Sequence, residues 1–141
     1  MQLNLYNERV QKLQKEFKAI YVKKANKWQF KPHQQAIYDF VMKSMRSITF
    51  CVNDYTITLK EGNENFGFKH IILRHYGDGC PGEIKALDIL NIGNIISKQI
   101  NIPSKKEDRI NFIQHKNNEK YTVVLTIKKP NNLIFTFFSS L

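Results

Sequence analysis

Lys69, His70, Arg74 and His75 stand close together in FGFKHIILRHYG, the segment 66–77. Imidazole is the side chain that changes charge near neutral pH, so two of them can take up one proton and deliver another within one reaction. A guanidinium grips a phosphate with two parallel hydrogen bonds. This set of groups is equipped for acid–base chemistry on an anion. The same residue types also have structural uses: a histidine at a helix edge packs or caps, His75 at a helix end interacts favourably with the dipole, and an arginine there faces water.

How these groups are presented depends on the helix that carries them. Ile71 and Ile72 supply its core-facing side, which places His70 and Arg74, four residues apart, together on the border of the core. His75 stands about 140° round from His70 at ~100° per residue. If that divergence keeps both imidazoles from reaching one phosphate, the second acid–base group must come from the sheet, His115 being one candidate.

The rest of the chain divides by pattern. Val10, Leu13, Phe17 and Ile20 fall at helical spacing with Lys12, Lys15, Lys18 and Lys23 on the remaining surface, which reads as a basic amphipathic helix. Trp28 and Phe30 precede Pro32, a residue at home in a first helical turn, and Ile37, Phe40, Val41 and Met45 form a second apolar stripe. In SITFCVNDYTITLK apolar and polar residues alternate around an Asn-Asp turn signal, which predicts a strand or hairpin. GDGCPG breaks the histidine segment. KALDILNIGNIISKQI has a helical pattern through Ala86, Ile89, Leu90 and Ile96, weakened by about 1 kcal/mol at Gly93. NIPSKKED reads as a loop, and RINFIQHK, YTVVLTIKK and NNLIFTFF as three successive strands of an antiparallel meander. The expected fold class is α+β: N-terminal helices over residues 1–47, then a unit at 48–141 with about four antiparallel strands and a packed histidine-bearing helix, the two forming separate segments or one compact unit.

Composition narrows the partners. The 141 residues carry a net charge of +10, which favours RNA, DNA, an acidic protein or an anionic membrane surface. No apolar run approaches the ~20 residues of a membrane helix, so no span is expected. Cys51 and Cys80 lack the spacing of a zinc site or disulfide framework, which points to a reducing compartment, and the first residues do not read as a secretory signal. Cys80 itself reads as an incidental loop residue. Asp54, Asp78, Asp88 and Asp108 are scattered without metal-ligand spacing, so neither a metal nor a cofactor is expected.

The string HIILRH with a glycine close behind it, followed by an Ile- and Leu-rich helix and a terminal meander ending FTFF, resembles the phage- and polymorphic-toxin-associated ribonucleases of the superfamily named for barnase, EndoU, colicin-type tRNases and RelE. Their motif, HI-x-x-(K/R)-H, is met here by His70, Ile71, Arg74 and His75, and their last-strand Thr or Ser before an aromatic by Thr136 and Phe137. The resemblance covers roughly residues 48–141. It implies metal-independent RNA cleavage, tRNA being the favoured target, by a toxin domain of a phage-borne or contact-dependent growth inhibition system. It also implies cytoplasmic action, delivery as part of a larger effector, and an acidic immunity or antitoxin protein. Residues 1–47 lie outside the motif.

Such cleavage needs a base for the ribose 2′-hydroxyl, an acid for the departing 5′-oxygen and a cation for the phosphorane. His70 and His75 are the candidate acid and base, in either order, and Arg74 the clamp. Thr136 and Ser139 are candidates to position the phosphate; on strand alternation they point to opposite faces, and Thr136 carries the motif match. Lys69, Lys128 and Lys129 are candidate RNA-backbone contacts, the last two also reading as a solvated hairpin tip. The rival reading keeps the charge and discards the histidines: a non-catalytic basic domain that binds nucleic acid or an acidic partner.

Overall fold

The computed structural model describes residues 2–24, 30–77, 79–98, 101–103, 108–116, 118–127 and 132–140. Trp28, Lys128 and Lys129 lie outside the described residues. The N-terminal stripe makes helix α1 (Gln2–Lys24), which buries Tyr6, Leu13 and Phe17. Helix α2 (Pro32–Met42) starts at a proline whose missing N–H costs nothing in the first turn; the Gln34 side chain accepts from the Lys31 N–H at 2.9 Å. It buries Ile37, Phe40 and Val41 and packs on α1 and on strand β1 (Ser47–Val52).

β1 and β2 (Tyr55–Lys60) form an antiparallel hairpin turning through Asn53, whose φ of 54° suits an asparagine. After helix α3 (Gly67–Arg74), the predicted helix of residues 85–100 is two short ones, α4 (Ala86–Leu90) and α5 (Ile92–Ser97), broken at Asn91. The Asn91 side-chain oxygen accepts from Gln34 and Asn94, tying the break to α2. Gly93 is a packing requirement rather than a weak spot: a Cβ there would lie 2.3 Å from Nδ1 of the buried His33.

Strands β3 (Asn101–Pro103), β4 (Arg109–Lys116), β5 (Glu119–Thr126) and β6 (Asn132–Ser140) complete one sheet of six strands in the order β1-β2-β6-β5-β4-β3. The fold is α+β with N-terminal helices, as expected, but the sheet is larger than four strands and mixed. β2 runs parallel to β6 over Ile57↔Asn132 and Thr58↔Leu133. Local alternation predicts strands, not which distant strand each one joins, and β3 is too short to show a period. Beyond residue 133 the pairing with β2 stops, and α3 packs against both β2 and β6. One core joins α1 and α2 to the sheet and α3, through Leu13, Phe17, Ile37, Phe40, Ile71, Ile72 and Phe137.

Candidate active site

The histidines are brought together by the end of a helix. α3 stops at Arg74, and His75 leaves helical geometry with φ −127° and ψ −17°. Instead of standing 140° away, its ring lies 5.4 Å from that of His70, edge to face. The stop is enforced from α1: the Arg9 guanidinium donates to the carbonyls of Ile72 and Leu73 at 3.0 and 2.8 Å, capping the α3 C-terminus with a cation. Tyr76 is held by the α1 carboxylate of Glu16, and its backbone bridges in parallel to Ile84.

Each imidazole is fixed by its second nitrogen. His75 Nδ1 donates to the Pro81 carbonyl at 2.7 Å, which leaves Nε2 as the ring's acceptor nitrogen. The loop carrying Pro81 is pinned to β6, where Ser139 donates from its N–H to Gly82 O and from its hydroxyl to Glu83 O. Gly82 has φ +63°, and a Cβ there would approach Ser139 O, Phe138 Cβ and His75 Nδ1 at 3.0–3.2 Å. The glycine-rich break is therefore a fitted clamp on His75.

His70 Nδ1 donates to the Glu64 carbonyl at 2.8 Å, and its Nε2 pairs with the Thr136 hydroxyl at 2.9 Å. A neutral ring accepts from that hydroxyl; a charged ring donates to it. Thr136 and Ser139 do serve different partners, and it is Thr136 that meets a histidine. Phe138, two residues on, lies under the His75 ring at 5.8 Å. The two histidines thus stand over successive same-face residues of β6. Between Ile134 and Thr136 the register with β5 slips, leaving Phe135 as the extra residue of a bulge. Bulges re-aim side chains, and here Phe135 comes within 6.5 Å of the His70 ring. Its other neighbour is Arg109 of β4, whose guanidinium carbon lies 3.9 Å from the ring centroid.

Electrostatics separate the groups further. Burial, first of all, holds His75 below the ordinary 6.5; the bond to Pro81 pulls the other way, and the charges of His70 and Arg74 add to the lowering. His75 is thereby kept neutral and able to accept a proton at neutral pH.

Of the residues singled out from sequence, His70, His75 and Thr136 converge, and Arg74 lies beside them, exposed, with its charge felt by His75. Lys69 turns away: its Nζ sits over the Tyr6 ring at 5.3 Å, on the α1 side. His115 is exposed at the far end of β4, in register with Lys120 and Ser140 two strands from the histidines, so it does not complete the pair. Arg9, Gly82, Phe135, Phe138 and Arg109 escaped notice from the sequence alone. Only Gly82 carried a signal, as part of the glycine-rich break; the others read as ordinary helix or strand residues. Among the described residues no group of three or more His, Cys, Asp or Glu is placed to hold a metal ion, and no helix is long and apolar enough to cross a membrane. Compared with known proteins, the chain matches no family model, no curated protein and no solved structure.

Proposed function

We propose that the chain is a metal-independent endoribonuclease toxin domain, acting through 2′-hydroxyl attack to leave a 2′,3′-cyclic phosphate and a 5′-hydroxyl. The observation that carries this reading is the His70–His75 pair: two imidazoles 5.4 Å apart, one with a free ring nitrogen and the other in line with a hydroxyl. Nε2 of neutral His75 takes the 2′-hydroxyl proton as the ribose oxygen bonds to phosphorus. Charged His70 gives its Nε2 proton to Thr136, whose own hydroxyl proton passes to the 5′-oxygen as the P–O bond breaks. One proton is gained at His75 and one lost at His70, and water resets the pair when the cyclic ester leaves. Arg74, exposed beside His75, offers a cation to the phosphorane.

In this reading tRNA is the favoured substrate, the site of action is the cytoplasm of a target cell reached as part of a larger effector, and an acidic immunity or antitoxin protein covers His70 and Arg74. The +10 charge supports polyanionic partners of both kinds. The test is incubation with total RNA in EDTA, comparing wild type with His70→Ala and His75→Ala. Discrete fragments with cyclic phosphate ends, reduced about 10²-fold or more in each variant, are expected. RNA left intact by the folded wild type would support instead a non-catalytic basic domain that binds nucleic acid or an acidic partner.

A further inference from the structure

The sheet face beside the histidines holds a second cluster of polar atoms that the acid–base pair does not use. Among the described residues, four buried side-chain polar atoms lack a hydrogen-bond partner, and three of them are Arg109 Nε, Asn111 Oδ1 and Thr126 Oγ1. Register puts these three on one face. Arg109 is directly opposite Thr126, and Asn111, two residues on from Arg109, is opposite Val124, which is in turn opposite Thr136. Cross-strand partners share a face, as do residues two apart on one strand. That face is turned away from α5, which meets the sheet at Gln114 and Tyr121 of the opposite alternation. The cluster therefore continues, across Val124, into Thr136 and His70.

A buried polar atom that has given up water needs another partner, and three adjacent orphans on one surface are a rare arrangement unless something completes them. Their chemistry is specific: a charged N–H donor, a hydroxyl that both donates and accepts, and an amide. The guanidinium carbon already lies 3.9 Å from the Phe135 ring centroid, a cation–π contact that restrains the arginine in advance. We infer that Arg109, Thr126 and Asn111 form a nucleotide subsite for the RNA strand next to the scissile bond, Arg109 and Thr126 binding a neighbouring phosphate and the Asn111 amide a base or sugar donor. This assignment rests on the RNA reading above.

The experiment uses the full chain and two readouts. Binding is measured by fluorescence anisotropy with a short labelled 2′-O-methyl RNA of mixed sequence, which cannot be cleaved; cleavage is measured separately on natural RNA. Arg109→Lys keeps the charge and loses the fork and Nε, and Thr126→Val keeps the volume and loses only the hydroxyl. Each weakens probe binding about tenfold, and raises KM more than it lowers kcat. The urea midpoint of Thr126→Val equals or exceeds that of wild type, because valine carries no orphan hydroxyl, so a binding loss there is not a folding loss. Wild-type affinity in both folded variants, or no binding of the probe by wild type, overturns the subsite. Variants that bind poorly while wild type cleaves nothing keep the subsite and remove the nuclease reading; cleavage with unchanged variant binding removes the subsite alone.

Discussion

In the proposed mechanism His75 is the acid–base group whose proton affinity its surroundings lower. Because burial, with help from His70 and Arg74, lowers its affinity for protons, the base form persists into mildly acidic solution, and the acid limb of a kcat/KM profile is expected below 6.5. Removing a positive neighbour must shift that limb the other way, so Arg74→Gln moves it towards higher pH; an NMR titration of the His75 ring checks the assignment, and an unmoved limb would remove Arg74 from the site's electrostatics. The same depression has a stability consequence with a definite sign. The folded-state value lies below 6.5, so the contribution of neutral His75 is whole above pH about 6.5 and declines as pH falls from there through the folded value. His33, lowered first by burial and then by Lys31, acts in the same direction. The residue types of this site were legible in the sequence, and Thr136 was named there as a phosphate-positioning candidate; its hydrogen bond to His70 was not foreseen, because it joins a helix to a strand 66 residues away. The closeness of the two rings was not, because the helical angle between positions 70 and 75 holds only if the helix continues past Arg74.

At the scale of elements, the site depends on how α3 ends and on what the following loop is pressed against. Arg9 donates to two carbonyls that α3 leaves unpaired, and Arg9→Ala removes charged hydrogen bonds each worth about 1.5–3 kcal/mol at most in such settings. A stability loss measurable by urea denaturation is expected, together with a cleavage loss larger than the unfolded fraction explains, since His75 is released from its turn. A wild-type cleavage rate in folded Arg9→Ala would show that the turn holds without the Arg9 cap. Gly82→Ala attacks the same geometry from the other side: a left-handed φ costs an alanine roughly 1–2 kcal/mol, and its Cβ presses on β6 and on His75 Nδ1. Stability should fall by about that much and activity by more, and the His75 Nδ1 proton, bonded to Pro81 in the wild type, should change its NMR shift. Periodicity found the two long helices, the meander and extended structure that could be one strand or a hairpin at residues 47–60, because each of those signals is local. The parallel contact of β2 with β6, the Phe135 bulge and the split of α4 from α5 at Asn91 arise from contacts between distant segments, which no local pattern encodes.

For the whole molecule, the first question is what residues 1–47 contribute. Leu13, Phe17, Ile37 and Phe40 are buried in the same core as Ile71 and Ile72, and large-to-small changes at such positions cost about 2–5 kcal/mol each. A chain beginning at Ser47 would expose that core and lose the Arg9 cap, so it is expected to show no cooperative unfolding transition by circular dichroism; a sharp transition would mark 48–141 as an autonomous unit. The second question is whether the net charge of +10 acts on the proposed substrate or merely keeps the protein soluble. Counterion release separates these. A protein that neutralises about three phosphates of a single strand gives a slope near −2 in log K against log salt, at about 0.7 per phosphate. Anisotropy titrations of the 2′-O-methyl probe across a range of potassium chloride concentrations should give such a slope. Arg109→Ala should lower its magnitude by about one phosphate's share, since that guanidinium is assigned to one phosphate. A slope indistinguishable from zero would mean that the charge is spread over surface the RNA never touches.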